Sequence, residues 1–224
     1  MTFFRHTWAH LRKDLRIEWR SRDSVTGMLF FSLLVVVVFS FAFEPTAAVS
    51  RQVAGGILWI VLLFAATTAL NQSWTREQRN HVLDAQRMTP ASGSALFLGK
   101  ALANFLFVTV VELILAPIFT IFYNLHALGQ VWLMLLILPL GTWALVSNGT
   151  FFAALGLRTR NREMMLPLVL FPISIPALLA MIQATTAVLT GEFEPGLWIK
   201  LLTGYDIIFT TVCLLLFEVV LNAE

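Results

Sequence analysis

Long apolar stretches alternate with short polar ones along the chain after its first 25 residues. A helix needs about 20 apolar residues to cross a bilayer, and six of these stretches come close to that length or exceed it. The pattern predicts spans at about residues 26–43, 53–73, 96–125, 131–157, 164–190 and 201–221. The fifth stretch contains Pro167, Pro172 and Pro176, which predict a broken or kinked helix.

Residues 1–25 have a different, amphipathic pattern. At 100° per residue, five apolar side chains fall within an arc of roughly 80°, and five cations occupy an adjoining arc of roughly 100°. The apolar set is Phe4, Trp8, Leu11, Leu15 and Trp19, and the cations are Arg5, Arg12, Lys13, Arg16 and Arg20, with Arg22 following near the end of the segment. This predicts an interfacial helix on the cytoplasmic side, with its aromatic rings at the headgroup boundary and its cations at anionic lipid. It either anchors the surface alone or also contacts a cytoplasmic partner.

Composition and charge agree with a membrane protein. Hydrophobic residues make up 58% of the chain and charged residues 12%, and the mean hydropathy is +0.80, which excludes an ordinary soluble domain. Thirteen of the fifteen Lys and Arg residues lie before Thr26, at 74–100 or at 158–162, on alternating connections. The positive-inside rule therefore predicts that both termini are cytoplasmic. We therefore predict that the chain divides into an amphipathic helix at residues 1–25 and a six-helix transmembrane domain at residues 26–224.

Catalytic chemistry is not indicated by any motif. Residues 93–101 resemble a phosphate-binding loop, but five residues separate the two glycines and Ala101 follows Lys100 where Ser or Thr is needed. We interpret this segment as a flexible entry to the third span, with Lys100 at headgroup depth. The histidines are scattered and Cys213 is the only cysteine. We therefore predict no catalytic residue, no metal site and no cofactor bound by this chain.

Three carboxyl groups fall within the predicted spans. Glu112 follows Lys100 by twelve residues, or about 18 Å of helix, which places it near mid-bilayer. It is either a polar group on a transport or coupling path, or a protonated carboxyl bonded to a neighbouring helix. Asp206 and Glu218 lie nearer the ends of the last span, where anchoring at a membrane surface is favoured. Glu112 and Asp206 are the candidate intramembrane polar site.

Small residues recur at a spacing of four in two spans. Ala65 and Ala69 have this spacing in the second span, and Gly149 and Ala153 have it in the fourth. The spacing predicts close helix packing, either within one chain or between chains.

The basic leader, the six spans and the polar segment after the second span together resemble a known family. They resemble the membrane subunits of ABC transporters of the ABC-2 exporter type, and within these the haem exporter B subunits (CcmB) of cytochrome c maturation. The resemblance covers nearly the whole chain and is carried by residues 83–90 with Gly99-Lys100, 153–158 with 166–176, and 201–209 with 215–218. Where the family has a Gly-x-Leu-Glu-type run, this chain has Asn80-His-Val-Leu-Asp84.

The resemblance implies a non-enzymatic ABC-2 type permease in the bacterial inner membrane. It implies a homodimer bound to two copies of an ABC ATPase subunit that carries the ATP, together with a haem-handling membrane subunit and a periplasmic haem chaperone. ATP hydrolysis would be coupled to release of the haem-loaded chaperone, so that haem is handled by the complex. No nucleic acid partner is implied. The alternatives are an ABC-2 permease for another substrate, such as a drug or a polysaccharide, and then an enzyme or ATP-independent carrier.

The polar stretch at 76–88 is the predicted docking segment for the ATPase subunit. It mixes charges with a few apolar residues, as a short helix that seats in a groove of a soluble partner does. The predicted contact residues are Arg76, Glu77, Arg79, Val82, Leu83, Asp84, Arg87 and Met88.

Overall fold

The computed structural model describes residues 2–42, 47–79, 92–123, 125, 131–156 and 162–222, and these residues form seven α-helices without a strand. The helices are α1 (Thr2–Ser21), α2 (Asp23–Ala42), α3 (Ala47–Arg79), α4 (Gly93–Phe122), α5 (Val131–Gly156), α6 (Arg162–Thr190) and α7 (Gly196–Asn222). Helices α2 to α7 are each long and apolar enough to cross a membrane. The prediction of an all-α membrane protein with an N-terminal amphipathic helix and six spans is confirmed.

The ends of α3 and α4 differ from the expectation. Helix α3 continues to Arg79, and α4 begins at Gly93, directly after Ser92. Residues 93–100 are therefore the first two turns of a helix, and the flexible entry expected here is wrong. The segment is helical because its apolar side chains Ala95, Leu96 and Phe97 are buried against the rest of the protein.

Helix α6 is continuous through Pro167, Pro172 and Pro176, so the predicted break is absent. Proline removes a backbone donor and crowds the preceding turn. In a membrane domain this is tolerated where neighbouring helices hold the segment. Helices α3, α5 and α7 all pack along α6, and together they supply that support.

Helix α3 lies at the centre of the helical domain and packs against α2, α5 and α6. A Cβ atom added at Gly149 of α5 would collide with the side chain of Leu70 of α3. The spaced alanines Ala65, Ala69 and Ala153 are buried as well. These small residues thus allow close packing of helices within one chain, which is one of the two alternatives that the spacing predicted.

Helix α1 packs against α4 rather than standing apart from the domain. At Gly99 of α4, an added Cβ atom would lie 2.7 Å from both the Cβ of His10 and the carbonyl oxygen of Thr7. Only a glycine permits this approach. Arg22 alone separates α1 from α2, and it has the left-handed backbone conformation, with φ 58°, that ends many helices.

Candidate functional site

Four charged side chains from three helices meet where α1 crosses the ends of α3 and α4. Lys100 Nζ of α4 lies 3.2 Å from Asp14 Oδ2 of α1 and 3.0 Å from Glu77 Oε1 of α3. Lys13 of α1 pairs with the same Glu77 oxygen and lies 3.2 Å from Asp14 Oδ1. We call Lys13, Asp14, Glu77 and Lys100 the four-charge cluster.

The cluster is electrically balanced, and all of its members except Lys13 are largely buried. The Lys100 side chain is 1% exposed, and its ammonium lies 4.7 Å from the centre of the Trp74 ring, a cation–π distance. A buried ion that loses its water requires both an opposite charge and hydrogen bonds. Two cations and two carboxylates satisfy this requirement here. The side chain of Lys100 therefore lies inside the protein, and its predicted headgroup depth stays a prediction.

The pKa values of two α1 side chains reflect the cluster. Burial lowers the pKa of Lys13, but the charges of Asp14 and Glu77 more than offset this, and the pKa is raised. The stability that Lys13 contributes is therefore present below its ordinary pKa and is lost as pH rises through the raised value. Burial, followed by the charge of Lys13, lowers the pKa of His10.

A second ionic contact continues from the cluster to the start of α2. Glu18 Oε1 accepts hydrogen bonds from the backbone N–H groups of Ser24 (2.7 Å) and Val25 (3.2 Å), so Glu18 caps the N-terminus of α2. Arg76 Nη2 of α3 donates to Glu18 Oε2 at 3.1 Å and to Ser24 Oγ at 2.8 Å. Four helices are thereby joined by charged side chains at one end of the molecule.

This end of the molecule is also the base of the predicted docking segment. Arg76 and Glu77 belong to the last turns of α3 and contact α1, a role that the sequence did not indicate. Arg79 is the last residue of α3. The remaining predicted contact residues, Val82, Leu83, Asp84, Arg87 and Met88, lie outside the described residues. ATPase docking by this segment therefore remains a prediction.

One local feature of the sequence indicates the cluster. Asp14 and Glu18 are spaced i, i+4 and fall on the same side of α1 as Leu11, away from most of the cations. Acidic side chains beside the apolar stripe of a helix indicate a cationic partner within the protein. Their partners, Lys100 and Arg76, are 86 and 58 residues away in the chain, which no local pattern can reveal.

The two candidate intramembrane carboxyl groups are both buried. Thr142 Oγ1 of α5 donates a hydrogen bond to Glu112 Oε2 at 3.0 Å, the kind of contact expected of a packing role, and Glu112 is 3% exposed. Asp206 is 6% exposed, and neither of its carboxyl oxygens has a hydrogen-bond partner among the described residues. Asp206 thus does not reach a surface, because its side of α7 faces the protein. A role in transport for either residue remains a prediction.

A polar groove lies on the outer surface between α3 and α6. Thr67 and Thr68 bond their hydroxyls back to α3 carbonyls, whereas the amides of Asn71 and Gln72 have no partner among the described residues. We call this surface the α3–α6 groove. Its lining is Asp23, Phe64, Thr67, Thr68, Asn71, Gln72, Thr75, Arg76, Pro167 and Phe171.

Comparison with known proteins gives the family. The family model described as "CcmB protein" matches residues 5–221, which include nearly all of the seven helices. The chain belongs to the CcmB family. Among curated relatives, it is 32% identical over 171 residues to "Heme exporter protein B" of Rhodobacter capsulatus, covering 76% of this chain and 78% of that protein. It is 30% identical over 203 residues to the protein of that name from Bradyrhizobium diazoefficiens, covering 89% and 90%.

A third relative with the same name, from Pseudomonas aeruginosa, is 26% identical over 202 residues, covering 89% of this chain and 90% of that protein. The CcmB match begins before the four-charge cluster and ends beyond it, so the ion pairs of α1 lie inside the shared region. The resemblance inferred from the sequence is confirmed, and the chain is a multi-pass membrane protein of the CcmB family.

Removing one charge from the cluster tests its contribution to stability. We expect Lys100→Met to lower the free energy of unfolding by about 3 kcal/mol, because it leaves two buried carboxylates with one cation. Adding Glu77→Gln should restore a large part, because one charge of each sign is then absent. Denaturant unfolding in detergent micelles measures both.

The matched control is Lys200→Met, which removes an exposed cation from α7. We expect its free energy of unfolding to stay within about 0.5 kcal/mol of the unaltered protein. Equal stability of the Lys100→Met and Lys200→Met variants would show that the cluster contributes nothing.

Proposed function

We propose that this chain is the membrane-spanning subunit of an ABC transporter complex for haem export in cytochrome c maturation. The observation that carries the proposal is the match to the CcmB family over residues 5–221, together with relatives named heme exporter protein B that cover up to 89% of this chain. In this role the chain itself is not catalytic. ATP binds to the partner ATPase subunit, and haem is handled by the assembled complex.

The coupling step that we propose links ATP hydrolysis to the release of a haem-loaded periplasmic chaperone. The four-charge cluster supports such a link, because it lies at the base of the docking segment. Glu77 precedes residues 80–91 and Lys100 follows them, and their side chains are 3.0 Å apart. A displacement of the segment by the ATPase is therefore passed to α1, α3 and α4 together.

We place both termini and the docking segment in the cytoplasm of a bacterium, with the spans in the inner membrane. The distribution of cations supports this orientation. The structure adds a second argument, since Lys13 near the N-terminus pairs with Glu77, and its neighbour Asp14 pairs with Lys100. The leader, the end of α3 and the start of α4 thus lie at the same end of the molecule, which supports their sharing one side of the membrane.

The docking segment provides the experiment that tests the proposed function. A tagged copy is expressed in a bacterium that lacks its own heme exporter protein B, and membranes are solubilised and purified. We expect the ATPase subunit and a haem-handling membrane subunit to co-purify, and c-type cytochromes to be restored. Replacing Val82 and Leu83 together by Asp should abolish ATPase co-purification while membrane insertion is unchanged, because apolar residues supply most of the docking energy.

The matched control places the same two negative charges in the same segment at Asn80 and Gln86, which are not predicted contact residues, and it should retain the ATPase. If the Val82/Leu83 variant retains the ATPase at unaltered levels, the docking assignment is wrong. Co-purification of an ATPase without a haem-handling subunit, and without restored cytochromes, would favour an ABC-2 permease for another substrate. Absence of any ATPase would contradict the whole class.

Two copies of this chain are part of the proposed complex, and the α3–α6 groove is the surface that we assign to their contact. An amide in contact with lipid tails costs about 2 kcal/mol or more unless it is hydrogen-bonded. Asn71 and Gln72 each carry both a donor and an acceptor. Around a two-fold axis such side chains bond to their own copies, so the groove is self-complementary.

Disulfide cross-linking tests this surface. In membranes treated with a mild oxidant, we expect Gln72→Cys to give a covalent dimer, because the two copies of that position face each other. Leu215→Cys on α7, 72% exposed, is the control and should stay monomeric. The native Cys213 is buried and does not compete. A dimer detected by a long amine-reactive cross-linker but not at position 72 would show that the dimer forms through another face.

A further inference from the structure

Helix α1 has three distinct sides in the folded protein, where the sequence pattern showed two. The first side packs on the protein: Thr7, Leu11 and Glu18 are all at most 7% exposed. The second is aromatic, since Phe4, Trp8 and Trp19 are 76%, 64% and 80% exposed. The third consists of exposed arginines, namely Arg5, Arg12, Arg16 and Arg20.

In the folded protein, the acidic side chains of α1 do not lie on the outer surface of this helix. Asp14 and Glu18 are the acidic residues of this helix. Asp14 pairs with Lys13 and Lys100, and Glu18 pairs with Arg76 and caps α2. Both carboxylates are therefore used inside the molecule. The outer surface of α1 keeps its four arginines without a neutralising acid from the same helix.

The position of α1 fixes the depth of this surface. Its C-terminus is joined through the single residue Arg22 to α2, which is a candidate span from its first residue. Its protein side contacts α4 at Gly99, which lies six residues after the start of α4, or about 9 Å along that helix. Helix α1 thus lies along the membrane boundary, where exposed tryptophans are stable and arginines reach phosphate groups.

We propose that the outer face of α1, made of Phe4, Trp8, Trp19 and the four exposed arginines, binds anionic phospholipid headgroups selectively. The rings enter the layer just below the headgroups, and the guanidinium groups bind lipid phosphates. Charge complementarity identifies the occupant, because an acid-free row of arginines beside exposed aromatic rings suits a negatively charged membrane surface. This goes beyond the proposed function, which requires only that the chain is embedded in a bilayer.

Lipid selectivity of the full-length protein provides the test. The protein is reconstituted into vesicles of three parts phosphatidylcholine to one part phosphatidylglycerol. Spin-labelled forms of each lipid report the fraction immobilised by the protein. We expect a several-fold preference for phosphatidylglycerol that declines steadily as salt is added, because exposed charges are screened. The fourfold variant Arg5→Gln, Arg12→Gln, Arg16→Gln and Arg20→Gln should bring the preference close to parity.

The fourfold Arg→Lys variant at the same positions is the matched control. It keeps the charge and should retain most of the preference. Should the Gln variant fail to fold, the salt dependence of the unaltered protein and the Lys variant still decide the matter. An unaltered preference in the folded Gln variant, or a salt-independent preference in the unaltered protein, overturns the proposal. Loss of ATPase co-purification in a Gln variant with unchanged lipid preference would instead assign this face to a protein partner.

Discussion

The requirement that buried charges be paired governs the end of this molecule where α1 meets α3 and α4. Lys100 is almost fully buried at the start of a membrane span, and such a cation is stable only beside carboxylates and inside a polar cage. Asp14 and Glu77 supply the carboxylates, and they come from two other helices. The position of α1 is therefore fixed by the need to complete the cluster, and Gly99 permits the close contact that this position demands.

This constraint connects the fold to the proposed function. An amphipathic helix that floats on a membrane surface can move without disturbing the spans beneath it. Helix α1 is instead held by ion pairs to α3 and α4, and its Glu18 caps α2. The end of α3 and the start of α4, which flank residues 80–91, are therefore joined to α1 and α2 by charged side chains. Under the proposed function, a displacement of residues 80–91 by the ATPase subunit would be passed to all four helices. The proposed contact between two copies through the α3–α6 groove follows the same rule, because the amides of Asn71 and Gln72 also need partners where they face lipid tails.

Much of the fold could be predicted from the sequence, because each span carries its own apolar signal. The six spans and the amphipathic leader depend on local composition and periodicity, and both can be read from one sequence. The continuity of α6 through Pro167, Pro172 and Pro176 could not be predicted, because it depends on the helices packed around it. The cluster was missed for the same reason: Lys100 and Asp14 are 86 residues apart, and only folding brings them together. Arg76 and Glu77 were predicted as ATPase contacts, which stays a prediction, and their contacts with α1 could not be seen in the polar pattern that they share with residues 80–88.

Hydrogen–deuterium exchange of the protein in lipid nanodiscs tests the central claim that α1 is an integral part of the domain. Backbone amides of a surface helix that is held only by lipid open readily, whereas those of a helix tied to the core open only with the core. The account predicts that amides between Thr7 and Glu18 exchange as slowly as those in the first turns of α4, and that Lys100→Met accelerates both. Fast exchange throughout α1 beside slow exchange in α4 would contradict it.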